Sequence, residues 1–362
     1  MMKVKQKKQM IQEKKVMNRK KVVIGMSGGV DSSVAAYLLK EEGYRVIGVT
    51  LDHKKEESLK KEIKAAQRIC HFLDIEHKTI DVEKLFQKEV IDDFLEGYSQ
   101  GITPSPCIIC DERVKMRILF ETADKEKADF VATGHYSSVE YSEEFKTNLL
   151  KVSCDPRKDQ SYMLYRLDNN KISRLLFPLH SYEKKQIRDI AKNIGLEVYN
   201  KEDSQGICFA KEGYIEFLRK NLGDSIKKGN FVDKTGKVIG EHEGYQLYTI
   251  GQRRGLGLKL PRAYFITKID KEKNEITIGE YEELYKKRVE LKKYKLAVKI
   301  ADILNKNIIG RPRFSSFGAS GKVLFENDKL FFEFDEKSPQ TAPGQHLVLY
   351  YKKLVLGGGI IS

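Results

Sequence analysis

Apolar runs of strand length alternate with helical stretches over the first half of the chain. The runs are residues 22–25, 44–51, 77–80 and 130–133. Residues 34–39 have helical spacing and precede Gly43, residues 55–72 carry their apolar side chains on one stripe, and residues 82–98 continue the helical pattern. Strands alternating with helices predict an α/β domain with a doubly wound parallel sheet over residues 21–212.

Glycines and short strand-like runs dominate after about residue 212. Residues 237–240, 264–267 and 275–279 predict a small connector domain over 213–285. Longer alternating segments follow, and they predict a C-terminal β-barrel over 286–362. These segments are residues 295–300, 321–325, 329–334 and 346–351.

The charge balance favours a polyphosphate partner. The 362 residues carry 66 Lys and Arg against 52 Asp and Glu, a net charge of +14. Residues 1–20 alone hold eight Lys or Arg and one Glu, and we interpret them as a basic tail, either solvated or in contact with nucleic acid. No apolar run is long enough to span a membrane. Five cysteines, an odd number, fit a reducing cytoplasm.

The residues Ser27–Ser33 (SGGVDSS) follow a strand and open a helix. Glycines allow backbone N–H groups to approach an anion, and a helix N-terminus attracts negative charge. The loop therefore predicts a phosphate site, with Asp31 as a candidate Mg²⁺ ligand. It lacks the Gly-Lys-Ser/Thr ending of the Walker loop. The structural alternative is an ordinary turn in which Asp31 caps the helix.

Two cysteines three positions apart, Cys107 and Cys110, lie in a loop that Pro104 and Pro106 make stiff. Such a pair is typical of a redox site, half of a zinc site, iron–sulfur ligation or simple burial. Cys208 alone would be interpreted as structural. Beside a phosphate-binding loop, however, a persulfide on one cysteine can deliver sulfur and a second thiol can resolve it. We expect Cys70 to be buried and Cys154 to be incidental.

The loop Ser27–Ser33 resembles the PP-loop of the ATP pyrophosphatases, which transfer AMP to an oxygen. With five further motifs, the chain from about Lys21 to Ser362 resembles the tRNA-specific 2-thiouridylase family, which thiolates the wobble uridine of tRNA. Those motifs are Ala132–Tyr136, Lys158–Tyr162, Asp203–Phe209, Gly251–Gly257 and Leu356–Ile361.

The resemblance implies an adenine-nucleotide-hydrolase-like fold, ATP with Mg²⁺, and two catalytic cysteines. Cys110 matches the nucleophile and Cys208 the persulfide carrier, and the two would form a disulfide during turnover. A cysteine desulfurase or a sulfur relay protein would supply the persulfide. The residues that match ATP contacts are Gly25, Met26, Ser27, Gly28, Gly29, Val30, Asp31, Ser32, Ser33, Leu51 and Gly134.

The resemblance also implies three tRNA-contacting segments. Ser105, Pro106 and Cys107 match the loop that meets the target base. The other two are Lys158, Asp159 and Gln160, and Arg313 with Phe314. An aromatic ring beside a basic residue suits stacking of an unpaired base. The chain departs from the family where Ser-Pro-Cys replaces the common Asn-Pro-Asp and where Phe314 replaces Tyr.

Three alternatives follow from these residues. Cys107, Cys110 and Cys208 can supply three thiolates to a [4Fe–4S] cluster that binds sulfide at the fourth iron. Another PP-loop tRNA modifier, such as a lysidine synthetase, would need no thiol. An RNA- or nucleotide-binding protein would keep the loop without turnover. We expect the persulfide reaction.

Overall fold

A computed structural model describes residues 20–54, 56–202, 206–259, 262–338 and 341–362. The chain divides into two compact units, residues 1–87 with 110–203 and residues 88–109 with 204–362. The basic segment before Lys20 lies outside the described residues. Within them, no helix is both long and apolar enough to cross a membrane. The domain boundaries placed at 212 and 285 stay predictions.

The strands are β1 (Lys21–Gly25), β2 (Arg45–Asp52), β3 (Glu76–Asp81), β4 (Phe130–Ala132), β5 (Ser137–Ser142), β6 (Thr147–Val152), β7 (Leu175–Leu176), β8 (Gly229–Val232), β9 (Val238–His242), β10 (Phe265–Asp270), β11 (Glu275–Gly279), β12 (Lys286–Leu296), β13 (Ile308–Arg311), β14 (Ala319–Glu326), β15 (Lys329–Ser338), β16 (His346–Tyr351) and β17 (Leu354–Ile361).

The α-helices are α1 (Val30–Glu41), α2 (Glu57–Phe72), α3 (Glu83–Phe86), α4 (Asp92–Ser99), α5 (Pro106–Cys110), α6 (Met116–Lys125), α7 (Ser161–Leu164), α8 (Asn169–Ile172), α9 (Lys184–Asn193) and α10 (Tyr214–Leu222). Two π-helical segments, Gln87–Ile91 and Asp111–Lys115, join α3 to α4 and α5 to α6.

The first unit is built on a five-stranded sheet in the order β3-β2-β1-β4-β7. Every pair in this sheet is parallel. Val22 and Ile24 of β1 are fully buried, as expected for a central parallel strand. The predicted doubly wound sheet is therefore confirmed, and the β5–β6 hairpin belongs to the same unit.

The order of the strands indicates where such a sheet would bind a ligand. The chain moves from β1 to β2 on one side and later to β4 on the other, so β1 lies where the winding reverses. Open α/β sheets bind ligands at the carboxyl ends of the strands at such a point. The loop Ser27–Gly29 follows β1 there and leads into α1.

The second unit contains two β structures. A four-stranded sheet in the order β10-β11-β8-β9 surrounds a core that includes Phe231, Ile266 and Ile276. Strands β12, β15, β14, β13, β16 and β17 pair in turn, and β17 returns to β12, so this barrel closes. The connector sheet and the barrel were both predicted.

Two predicted elements differ from the structure. The helical pattern over residues 82–98 is interrupted by the π-helical segment Gln87–Ile91, and the division between the units falls within that segment, after Gln87. The strand predicted over residues 295–300 ends at Leu296, and a 3₁₀ turn begins at Ile300. The terminal glycine-rich segment lies in strand β17, which pairs with β12 and places Leu291 opposite Ile361.

Candidate active site

The PP-loop is held by its own side chains and by one glycine turn. Gly28 has a φ of +67°, which side chains with a Cβ rarely adopt. The backbone N–H of Ser27 donates to Ser32 Oγ at 3.2 Å. The Ser33 hydroxyl is fully buried and donates to the Gly29 carbonyl at 2.6 Å, so it closes the first turn of α1. Ser27 is exposed at the mouth of the loop.

Two distant lysines bring positive charge to the PP-loop. Lys184 Nζ lies 2.7 Å from both carboxylate oxygens of Asp31. Tyr136 donates its hydroxyl to Asp31 Oδ1 at 2.8 Å, and Lys201 Nζ donates to the Gly28 carbonyl at 3.1 Å. The loop has no lysine of its own. Sequence reasoning missed both lysines, because no local pattern links them to the loop.

Gly134 lies against the backbone of the PP-loop. A Cβ atom at this position would stand 2.8 Å from Ser32 N and 2.9 Å from the Asp31 carbonyl carbon. Gly134 follows β4, the strand beside β1, so the sheet itself brings the two segments together. Leu51 lies near the end of β2 on the other side of β1, paired with Ile80. These predicted nucleotide contacts thus converge on one edge of the sheet.

Cys110 is linked to the PP-loop through its neighbour. Asp111 directly follows Cys110, and its buried carboxylate lies 3.7 Å from His135 Nε2. His135 in turn follows Gly134, and its Nδ1 lies 2.9 Å from Thr133 Oγ1. Lys115 Nζ also donates to Asp111 at 2.6 Å. Within the first unit, this chain of contacts joins the residue that follows Cys110 to the segment packed on the nucleotide loop.

Burial keeps His135 neutral. The side chain is 12% exposed, and burial lowers its pKa from 6.5 to about 4, although the nearby carboxylate of Asp111 acts in the opposite direction. A neutral imidazole donates one hydrogen bond and accepts another. His135 therefore contributes no positive charge to the site near pH 7.

Acid should destabilise the fold through His135. The unfolded chain binds a proton near pH 6.5 and the folded chain only near pH 4, so stability falls as pH drops between those values, by roughly 3 kcal/mol in total. Urea unfolding at pH 7 and pH 4.5 measures this loss. In His135→Asn, which has no such titration, the loss on acidification should be smaller. Equal losses in both proteins would contradict a buried neutral histidine.

In the second unit, helix α4 anchors the segments that carry Cys107 and Cys208. The Phe209 ring packs edge-on against Phe94, with centroids 5.2 Å apart. A methyl group on Gly97 would lie 3.0 Å from Pro104 Cγ, which shows how closely that loop packs on α4. Phe94 and Gly97 are three positions apart and share one helix face. Both cysteines are exposed beside these anchors.

The remaining cysteines, Cys70 and Cys154, have thiol pKa values raised by their surroundings. Cys70 is buried in the core, as predicted, and burial raises its pKa to about 12. Cys154 is exposed, and its pKa is raised by partial burial and by the carboxylates of Asp155 and Glu183. In the described part of the chain no disulfide joins two cysteines.

The segment Lys158–Gln160 is fixed to the fold by its own side chains. The buried carboxylate of Asp159 accepts hydrogen bonds from the Ser153 and Ser161 N–H groups at 3.1 and 3.3 Å. Gln160 Oε1 accepts from the Tyr136 N–H at 3.0 Å. Asp159 and Gln160 therefore hold the loop in place beside the residue that contacts Asp31. Their contact with tRNA stays a prediction.

The barrel carries Arg313 and Phe314 on a braced loop after β13. Arg311 donates to the Phe314 carbonyl at 2.9 Å and to the Ser316 carbonyl at 3.0 Å. Phe314 is 41% exposed, and Phe317 nearby is 96% exposed. A loop that is rigid and presents aromatic rings to water is suited to stacking on bases. Phe317 was not singled out by the sequence pattern.

The described side chains fit the predicted Mg²⁺ more directly than the predicted iron–sulfur cluster. Asp31 offers a carboxylate that is 31% exposed, and Mg²⁺ in nucleotide sites typically uses one or two carboxylates with substrate phosphates. Among the described residues, no group of three or more His, Cys, Asp or Glu side chains could hold a metal ion. The iron–sulfur alternative therefore stays a prediction.

Three family models match the chain in order. Residues 20–212 match the tRNA methyl transferase HUP domain. Residues 215–280 match the tRNA methyl transferase PRC-barrel domain, and residues 311–361 match the aminomethyltransferase beta-barrel domain. This order agrees with the predicted sequence of α/β sheet, connector and barrel.

Similar proteins span nearly the whole chain. The protein named tRNA-specific 2-thiouridylase MnmA 2 from Fusobacterium nucleatum is 55% identical over 95% of this chain and 100% of its own length. The tRNA-specific 2-thiouridylase MnmA from Syntrophomonas wolfei is 41% identical over 94% of this chain and 99% of its own. Among solved structures, the U34-tRNA thiolase NcsA from Methanococcus maripaludis with its [4Fe-4S] cluster is 22% identical, with a TM-score of 0.36, over 60% of this chain and 76% of that one.

Proposed function

Because the chain belongs to the tRNA-specific 2-thiouridylase family, we propose that it uses ATP to replace the 2-oxygen of the wobble uridine of tRNA with sulfur. One observation supports this most strongly. Within the first unit, the contact from Asp111 to His135 links the residue that follows Cys110 to the segment packed on the PP-loop. An activated oxygen and a sulfur nucleophile are both required for the reaction.

The first step is adenylation of the uridine. The 2-oxygen attacks the α-phosphorus of ATP, the bond to the bridging oxygen breaks, and pyrophosphate leaves. The PP-loop backbone and the N-terminus of α1 bind the negative phosphates. Asp31 would hold Mg²⁺, which when bound neutralises charge on the phosphate oxygens. The uridine carbon is then activated, because AMP is a good leaving group.

The second step transfers sulfur from Cys208. A persulfide on Cys208 attacks the activated carbon through its terminal sulfur, and AMP leaves with the former uridine oxygen. The Cys110 thiolate then attacks the Cys208 sulfur, forms a Cys110–Cys208 disulfide and leaves the transferred sulfur on the uridine. Alternatively, Cys110 releases sulfide from the persulfide first, and that sulfide attacks the carbon. A thiol reductant resets the disulfide in either case.

Persulfide chemistry is favoured over the alternatives. The family model that matches the first unit is named for methyl transfer. The PP-loop and the two cysteines would instead supply the adenylation and the sulfur that thiolation needs. The names of the two relatives agree with thiolation. A lysidine synthetase would have no need for Cys110 and Cys208. An iron–sulfur cluster would need Cys107 as a third ligand, and the Cys107→Ser variant tests this requirement.

The partners follow from this chemistry. The tRNA would contact Ser105–Cys107 at the target base, Lys158–Gln160 beside it, and Arg313 with Phe314 on the barrel. A cysteine desulfurase or a sulfur relay protein in the cytoplasm would load the persulfide onto Cys208. The net charge of +14 suits the phosphate backbone of tRNA.

The proposed function is tested by nucleoside mass spectrometry and by reconstitution. Cells that lack this protein should lose 2-thiouridine at the wobble position, and the gene restored in trans should return it. The purified protein should release AMP and pyrophosphate from ATP when unmodified tRNA is present. Unchanged 2-thiouridine in the deleted strain, provided that no second thiouridylase is encoded there, would refute the proposal.

A further inference from the structure

Lys184 contacts the PP-loop from far along the chain. Its Nζ lies 2.7 Å from Asp31 Oδ1 and 2.7 Å from Oδ2, and its side chain is only 12% exposed. The ammonium group also lies 5.9 Å from the centroid of the Tyr136 ring, whose hydroxyl donates to the same carboxylate. A lysine side chain that is this deeply buried beside a phosphate loop is not an ordinary surface charge.

Helix α9 holds Lys184 in this position. Glu183 and Gln186 form a capping box, in which the Glu183 N–H donates to Gln186 Oε1 at 2.8 Å. Ile187 and Ala191 are fully buried in the core around β1 and α1. Lys184, Ile187 and Ala191 are spaced by three and four positions, so they share one stripe of the helix. The packing that buries this stripe directs Lys184 toward the first turn of α1.

The charges of the site favour phosphate as a partner of Lys184. The PP-loop lacks the lysine that the Walker loop uses for phosphates. A bound polyphosphate would place several negative charges beside the ammonium group that contacts the Asp31 carboxylate. A lysine ammonium carries three rotatable donors on one compact charge, so it can contact phosphate oxygens as a point charge. Lys201, which donates to the Gly28 carbonyl, is more exposed than Lys184.

We propose that Lys184 binds the β- and γ-phosphates of ATP and stabilises the pyrophosphate as it leaves. This inference rests on the proposed function, since it assigns Lys184 to the nucleotide of that reaction. The ammonium stays protonated throughout. As the bond between the α-phosphorus and the bridging oxygen breaks, negative charge grows on the leaving pyrophosphate, and Lys184 is placed to offset it.

Nucleotide binding separates this role from a structural one. Calorimetry with α,β-methylene-ATP and with AMP should show that Lys184→Gln weakens the ATP analogue at least about tenfold and leaves AMP within about twofold. Lys184→Arg keeps the charge and should recover most of the analogue affinity. Lys185→Gln removes the same charge from the next residue, which is exposed, and should change neither affinity.

Three results would decide against the role or against its premise. Unchanged binding of the analogue by Lys184→Gln, or equal weakening of the analogue and AMP, would overturn the inference and leave the proposed thiolation standing. A wild-type protein that binds neither nucleotide would refute the proposed function and this inference together. If Lys184→Gln does not fold, as thermal unfolding would reveal, Lys184→Met preserves the apolar stem and is subject to the same two comparisons.

Discussion

Replacing Cys208 with serine should lower thiolation of tRNA by about 10³-fold or more with a protein persulfide donor, because a hydroxyl cannot carry the transferable sulfur. Adenylation needs no thiol, so release of pyrophosphate in the presence of tRNA should persist in the variant. Gel-based detection of 2-thiouridine and a pyrophosphate assay on the same reaction measure the two steps separately. Full thiolation by Cys208→Ser would contradict the persulfide role.

Variants of two other cysteines accompany this one, the first as a control and the second to distinguish between mechanisms. Cys154→Ser changes an exposed thiol in the first unit and should leave thiolation unchanged. Cys107→Ser separates the two sulfur chemistries. Under the persulfide mechanism it should reduce activity only modestly, whereas a three-cysteine iron–sulfur cluster predicts a loss as large as that of Cys208→Ser, together with loss of bound iron. A loss of that size with bound iron in the wild type would favour the cluster.

Substituting alanine for Gly134 should reduce both pyrophosphate release and thiolation by about 100-fold, since a misplacement of roughly 1 Å at a reacting centre has that effect. The added methyl group would meet backbone atoms of Asp31 and Ser32 within 3 Å, and backbone cannot swing aside as a side chain can. The PP-loop must then shift away from the nucleotide.

Loading of Cys208 provides the internal control for Gly134→Ala. Cys208 belongs to the second unit, so transfer of a persulfide from the donor protein to the variant should proceed at the normal rate. Alkylation followed by mass spectrometry detects that persulfide. Normal pyrophosphate release by the variant would show that the close approach of Gly134 does not position the loop.

Local chemistry made the nucleotide loop predictable. A buried strand, two glycines and a helix start are neighbours in the sequence, so their pattern specified β1, the PP-loop and α1 together. The stripe of Leu59, Ile63, Ala66 and Ile69 likewise predicted α2, and all four side chains are buried. Five further motifs then identified the family, because several motifs in a fixed order are far more specific than any one of them.

Features that depend on distant contacts were not predictable. Lys184 is 153 positions from Asp31 and lies in an ordinary charged helix, which gives no local sign of its partner. The pattern over residues 82–98 showed one helix, but its Phe94 packs against Phe209, and α4 belongs with the second unit. Tertiary contacts decided each of these positions.

The central claim is that AMP is transferred to the 2-oxygen of the wobble uridine before sulfur replaces it. A tRNA carrying ¹⁸O at that carbonyl tests it directly, with the AMP product examined by mass spectrometry after one turnover. We predict that each AMP formed with 2-thiouridine carries one ¹⁸O atom from the tRNA. Formation of 2-thiouridine with unlabelled AMP would contradict the mechanism.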